Sequence, residues 1–204
     1  MLVGLGVSWY ARGSYEQAVR RLCEATDLSP DDPTPYLFLG RIQRVETAQS
    51  ELLVGKLRRF AALQPENAMS NFYYAVSLWQ RRKGSEDVKD SAEIKILLQK
   101  AVRLDPRLSA GYLQLGILYS EQKDYPNAIW AYQHAIEAEH GLEEAHYRLG
   151  QIYQHTGETL KARTELRLYR QLSKERAEEG DRDRHEIQQF VYTLRDRTSA
   201  SQPQ

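Results

Sequence analysis

A Leu–Gly pair recurs in one phase along this chain, at Leu5–Gly6, Leu39–Gly40, Leu115–Gly116 and Leu149–Gly150, on a stride of about 34 residues. Three residues after each Gly stands Trp9, Gln43, Tyr119 or Tyr153, and three before each Leu stands Leu2, Tyr36, Tyr112 or His146. Further on, Ala18 with Leu22, Ala128 with Tyr132, and Ala162 with Leu166 keep the same phase. Glycine inside a helix costs roughly 1 kcal/mol against alanine, so a helical glycine repeated at a fixed stride needs a packing reason. Small residues fit where two helices cross closely, and large ones fill the gaps a neighbouring pair leaves. The stride therefore predicts similar helical pairs packed in succession.

Turn chemistry agrees. Gly13–Ser14, Asp124–Tyr125–Pro126 and Gly157–Glu158 each end one helix and start the next. Pro126 falls in a first turn, where its missing N–H is harmless. The segments "LSPDDP", "LQPEN" and "LDPRLS" end the second helices, because Pro30, Pro65 and Pro106 cannot continue them.

An aromatic, then Leu–Gly, an aromatic, Ala with an aromatic, and a closing Pro is a pattern that resembles the tetratricopeptide repeat family. The resemblance covers about residues 1–172. It implies an all-α fold, a right-handed α-α superhelix of helix-turn-helix pairs, with repeats at 1–32, 33–67, 68–108, 109–142 and 143–172. Two repeats depart from the pattern. The second has Leu53, Leu57 and Phe60 where Ala, an aromatic and Ala are usual. The third has Tyr74–Ala75 in place of Leu–Gly and about seven extra residues near "RRKGSEDVKDS", expected as a surface loop or an extended helix end.

Residues 173–197 are read as a helical extension and a capping helix. Ile187, Phe190, Val191 and Leu194 share one helical face, so the cap is expected over 183–197, entered through Gly180 and Asp181. Residues 198–204, "TSASQPQ", are expected as a disordered tail. At the other end, Leu2, Val3, Leu5, Val7, Trp9 and Tyr10 cannot all face one partner helix. Upstream repeats, self-association through this helix, or a lining role in a groove would each account for them.

Composition narrows the function classes. With 28 basic and 28 acidic side chains the formal charge is zero, which removes the electrostatic footprint of a nucleic-acid binder. No stretch approaches the roughly 20 apolar residues of a membrane helix, so no membrane partner is expected. Cys23 is alone, which excludes an internal disulfide or a cysteine zinc site, and its apolar helical position reads as core. The opening "MLVGLGVSWYARG" has no basic residue before its apolar run, so it reads as fold rather than leader. The expected compartment is the cytoplasm, with a periplasmic or exported location open if a segment precedes it.

No arrangement of catalytic residues stands out. "HEIQQ" at 185 lacks the second His of a zinc-protease helix, and His146 and His155 are nine apart, not four. There is no phosphate-binding loop and no nucleophile elbow. The expectation is a protein that is not an enzyme and needs no cofactor or metal.

The resemblance also implies that the first helix of each pair lines an inner groove. Carried onto this sequence, the groove residues are Phe38, Arg41 and Arg44; Phe72, Tyr73 and Val76; Gln114 and Ile117; and Tyr147, Arg148 and Gln151. The Lys–Asn–Arg clamp of the repeats that hold chaperone C-termini is absent, since Leu37, Phe38, Phe72, Tyr73, Ala110 and Gln114 occupy its places. Aromatics flanked by Arg have the composition of binding hot spots. The expected function is a protein–protein interaction scaffold that holds a partner segment through apolar anchors flanked by Arg. The bland alternative is that many of these positions pack helix against helix. Two other functions stay open. One is the repeat portion of a larger enzyme or secretion/assembly component whose active domain lies outside this chain. The other is single-strand nucleic-acid binding, which would need a basic stacking track that a neutral chain does not offer.

Overall fold

A computed structural model describes residues 1–43, 50–82 and 88–200 of the chain, and all regular structure among them is helical. The helices are α1 (Leu2–Ala11), α2 (Tyr15–Leu28), α3 (Pro33–Ile42), α4 (Ser50–Leu63), α5 (Ala68–Arg82), α6 (Val88–Leu104), α7 (Ser109–Glu121), α8 (Tyr125–Ala138), α9 (Glu143–His155) and α10 (Thr159–Ala200). They form two compact units. Met1–His140 holds α1 to α8, and the residues from Gly141 onward hold α9 and α10.

Helices pack on their sequence neighbours, most extensively α1 with α2, α5 with α6, α7 with α8 and α9 with α10, while in the second pair α4 packs more on α5 than on α3. The Leu–Gly phase is explained by these pairings. A β-carbon on Gly6 would stand 2.7 Å from Leu22 Cγ, one on Gly116 2.4 Å from Tyr132 Cε1, and one on Gly150 2.8 Å from Leu166 Cγ. In each case the obstructing residue lies on the second helix of the same pair, sixteen positions later in the sequence. Ala18, Ala128 and Ala162, one turn earlier on those second helices, are buried at the same crossings.

The second pair solves the problem differently. Gly40 of α3 is covered by the ring of Tyr73, whose Cγ would lie 2.3 Å from an added β-carbon. The large residue comes from α5 instead of α4, which is why α4 can carry Leu53, Leu57 and Phe60 where the pattern has Ala and an aromatic. Phe60 instead stacks on Tyr36, with ring centroids 4.7 Å apart and planes 4° apart, and both are fully buried.

Three of the turns share one backbone conformation. Gly13, Lys123 and Gly157 occupy equivalent positions after α1, α7 and α9, all with left-handed φ, at +73°, +60° and +83°. The next residue donates its N–H back to the last turn: Ser14 to Trp9 O, Asp124 to Tyr119 O and Glu158 to Tyr153 O. This six-to-one bond satisfies a helix-terminal carbonyl. Asp32 caps α3 by accepting the Thr34 N–H at 2.9 Å, and Asp124 caps α8 by accepting from Asn127 N–H at 3.4 Å.

The lengthened third repeat places Arg81 and Arg82 at the end of α5 and Val88 to Ser91 at the start of α6. Residues 83–87 lie outside the described residues. Of the two forms expected for the insertion, the extended helix end is present, since α6 runs 17 residues against 14 for α2, α4 and α8.

In the second unit, α10 is one helix of 42 residues. The separate capping helix expected over 183–197, with an entrance at Gly180 and Asp181, is therefore not formed. The physical reason is that a single Gly costs only about 1 kcal/mol, while the flanking sequence is rich in helix formers and holds charge pairs along the axis. Lys174 pairs with Glu178 at 3.6 Å, and Arg184 pairs with Asp181. Thr198, Ser199 and Ala200, expected in the tail, belong to this helix, and residues 201–204 lie outside the described residues. So do the side chains of Ile187, Phe190, Val191 and Leu194, to which the sequence pattern assigns the capping face. Contact with α9 includes Arg176, whose guanidinium reaches Glu143 at 2.8 Å.

Candidate functional site

The first helices α3, α5 and α7 carry the expected groove residues of the first unit. On α3, Phe38 is half-buried and packs against the core formed by Ala18, Val19, Leu22 and Ile42. Its ring meets Tyr10 of α1 edge-on, with centroids 6.0 Å apart at 66°. One turn on, the exposed Arg41 lays its guanidinium 5.5 Å from the centre of the Phe38 ring. A cation over an aromatic face is held by the ring quadrupole, by about 0.5–1 kcal/mol where water has access. Tyr10, Phe38 and Arg41 thus form one cluster, half sunk and half open. Arg44 lies outside the described residues.

Phe72 and Tyr73 are corrected by the structure. They are 9% and 6% exposed and belong to the core. Tyr73 covers Gly40, and its carbonyl accepts a hydrogen bond from Gln43 Nε2 at 3.2 Å. The missing side chain at Gly40 creates the slot that Tyr73 fills, so a position that is open in other repeats is spent on packing here. Val76, one turn further along α5, is half-buried. On α7, Gln114 and Ile117 are half-buried and three residues apart, so they share a helical face.

In the second unit, Tyr147 of α9 is 40% exposed, with its ring 5.0 Å from that of Tyr169 on α10. Its hydroxyl accepts from Gln151 Nε2 at 2.9 Å. Arg148 is engaged by Glu144 of the same helix, at 2.7 Å from Nη2 and 2.9 Å from Nε. Its charge is therefore partly spent, which distinguishes it from Arg41. The neighbouring His146 is buried, with Nδ1 2.7 Å from Glu165 Oε2.

Chemistry elsewhere is subdued. Cys23 is buried, and burial pushes its thiol up to about 11. A thiol that stays protonated is a poor nucleophile and a poor metal ligand. Burial, with help from a hydrogen bond to Glu93, raises the Tyr74 phenol to about 12. Among the described residues no group of three His, Cys, Asp or Glu side chains could hold a metal ion, and no helix is long and apolar enough to cross a membrane.

Residues 113–177 match the family model of the tetratricopeptide repeat. The stretch runs from α7 into α10 and contains two of the four Leu–Gly pairs. Residues 113–177 are tetratricopeptide repeat sequence. Solved structures with the same fold extend beyond that stretch. The PilF protein of Pseudomonas aeruginosa is 20% identical with a TM-score of 0.70, over 83% of this chain and 74% of its own. MamA from Desulfovibrio magneticus RS-1 is 19% identical with a TM-score of 0.68, over 85% of this chain and 94% of its own. YrrB, described as a TPR protein with an unusual peptide-binding site, is 16% identical with a TM-score of 0.60, over 84% of each chain. No curated protein matches the sequence.

Reasoning from the first helices alone passes over the residues of the second helices. Trp130 of α8 is the clearest of them. The first and fifth repeats have Arg20 and Thr164 at its position, so helix packing does not call for an indole there. An aromatic at an outward position of a second helix is the signal the sequence offers.

Proposed function

We propose that this chain is a non-catalytic scaffold that holds a segment of a partner protein on the wall made by its first helices. The observation that carries the reading is the cluster of Tyr10, Phe38 and Arg41, where a half-buried ring lies beneath an exposed guanidinium. Aromatic and Arg side chains partly held by the protein lose little entropy on binding and supply much of the energy of an interface. Val76, Gln114 and Ile117 offer further partly open contacts along α5 and α7. The peptide-binding site ascribed to YrrB supports the reading that this fold serves peptides.

A photo-crosslinking residue placed at Val76 or Ile117 in living cells tests it, with Glu51 on the outward face of α4 as the control. The expected result is one shared partner from both wall positions, absent from the control and lost when Arg41→Glu is added. Equal labelling from Glu51, or labelling indifferent to Arg41→Glu, defeats the reading.

Self-association through α1 is a second reading, favoured by the exposure of that helix. Only Gly6 of α1 is buried, and Leu5 is 42% exposed. A Leu5→Glu variant that sediments as a smaller species than the parent supports it. A parent that is monomeric at all concentrations rejects it.

A further inference from the structure

Helices α6, α7 and α8 enclose a cleft of about 440 Å³ that faces outward between the two second helices. Its floor is Tyr112 and Tyr119, seven residues apart on α7, with Val102 of α6 beside them. One wall is the α6 face that carries Gln99 and Arg103. Lys95 continues that face a turn earlier, and its ammonium lies 4.9 Å from the centre of the Tyr119 ring. Gln99 Nε2 donates to the Tyr119 hydroxyl at 3.0 Å, which ties the wall to the floor. The opposite wall is α8, with Asn127 and Trp130.

Trp130 is 42% exposed yet held in place. Its ring meets Tyr112 edge-on, at 5.7 Å and 71°, and leans against His134 at 4.6 Å. His134 is fixed in turn by contact of Nδ1 with the Trp130 carbonyl at 3.0 Å. An indole pinned on two sides and open on the third gives up little freedom when a ligand covers it.

The charged side chains on the cleft walls are basic. Arg103 and Lys95 pair with no acid among the described residues, and no described residue lining the cleft is acidic. Burial first, then the nearby Glu137 and Asp105, holds the Tyr112 phenol above its usual range. Asp105 already accepts the Arg107 N–H at 2.9 Å. One wall thus carries two cations that no described carboxylate neutralises, and the other an open aromatic. Two positive groups are too few for a track along a phosphate backbone in a chain of zero net charge. They suit a short acidic segment. Lys95 and Arg103 are eight residues apart, about 12 Å along the helix, a span of about four residues of extended chain.

We propose that this cleft is a second binding site, separate from the first-helix wall, that takes an acidic segment of a partner protein. An apolar or aromatic side chain of that segment covers Trp130 and Tyr112, and carboxylates on either side of it meet Lys95 and Arg103.

Selection of a random peptide library on the whole protein, followed by fluorescence anisotropy of the enriched peptides, tests this. The expected consensus has two acids bracketing an aromatic or aliphatic residue. Arg103→Glu or Trp130→Ala should each weaken those peptides at least about tenfold, while Phe38→Ala with Arg41→Glu leaves them unchanged. Circular dichroism should show both cleft variants folded, since both side chains project toward solvent. No consensus, a basic consensus, or peptides indifferent to the cleft variants would overturn the proposal. So would oligo(dT) binding that disappears in Arg103→Glu, because the ligand would then be a nucleic acid. Peptides lost only with the Phe38 and Arg41 changes would support the first-helix wall and refute this cleft.

Discussion

Tyr132 of α8 occupies the space that a side chain on Gly116 of α7 would need, with its Cε1 2.4 Å from the position of an added β-carbon. Both residues are buried, and Ala128, one turn before Tyr132, is fully buried beside them. The crossing has no spare volume. Gly116→Ala should destabilise the chain by about 1–2 kcal/mol, even after the roughly 1 kcal/mol that alanine gains in helix propensity. Gly116→Leu and Ala128→Trp should be severe. Urea titration of each variant checks the order. Partial rescue of Gly116→Ala by Tyr132→Leu would show that the ring is the obstruction.

This crossing also shows how far the sequence can be read. Gly116 with Tyr132, Gly6 with Leu22 and Gly150 with Leu166 obey one spacing, because each contact is made within one helical pair. A local contact leaves a local signature. Gly40 breaks the spacing, since Tyr73 reaches it from the next pair, and nothing local marks that choice. The same contact hides the true state of the expected groove. Phe72 and Tyr73 occupy outward register positions, yet the slot over Gly40 draws Tyr73 inward. Gly180 reads as a break by residue type alone, whereas the helix formers and charge pairs around it carry α10 through.

Tyr73 and Phe38 should therefore respond differently to truncation. Tyr73→Ala empties the slot over Gly40 and should cost about 3–5 kcal/mol, the usual range for a buried aromatic. Phe38→Ala removes a half-buried ring and should cost clearly less, about 1–2 kcal/mol by the area it hides. Thermal unfolding of the two variants compares them directly. Equal losses would mean that Phe38 is core as well, and the first-helix wall would lose its main anchor.

Lys123 holds a left-handed conformation, φ +60°, in the turn where the equivalent positions carry Gly13 and Gly157. A β-carbon in that region costs roughly 1–2 kcal/mol. Lys123→Gly should stabilise the chain by up to about 1 kcal/mol, since the extra freedom of glycine in the unfolded chain takes back part of the gain. Gly157→Ala should destabilise by about 1–2 kcal/mol for the same reason in reverse. Denaturation midpoints of the two variants should move in opposite directions.

Cys23 makes alkaline pH a stability variable. In the folded chain its thiol titrates near 11, against 9.0 when free, because burial disfavours the thiolate. The unfolded chain therefore releases this proton first as pH rises. Stability from this source is complete below pH 9 and is lost progressively as pH climbs through about 11. Tyr74, raised to about 12 from 10, acts in the same direction at higher pH. Urea midpoints measured across this range should fall with pH, and Cys23→Ala should flatten the first part of the decline while lowering overall stability. A thiol reagent should label Cys23 slowly until the protein is unfolded.

Gly180 lies inside α10, where an added β-carbon would meet nothing nearer than Arg184 Nη1 at 3.7 Å. The space is open and the backbone is helical, so Gly180→Ala removes a propensity penalty without a steric cost. The expected gain is about 1 kcal/mol in local helix stability, seen as slower amide exchange on both sides of position 180. Gly180→Pro should have the opposite effect, since proline removes a helical hydrogen bond and clashes with the preceding turn at about 3 kcal/mol. Its damage should fall on the far part of the helix, so the near end of α10, with Glu165 against His146, keeps its protection. If Gly180→Ala leaves exchange unchanged and Gly180→Pro is silent, α10 is broken at Gly180 in solution and the helix ends one segment earlier than Ala200.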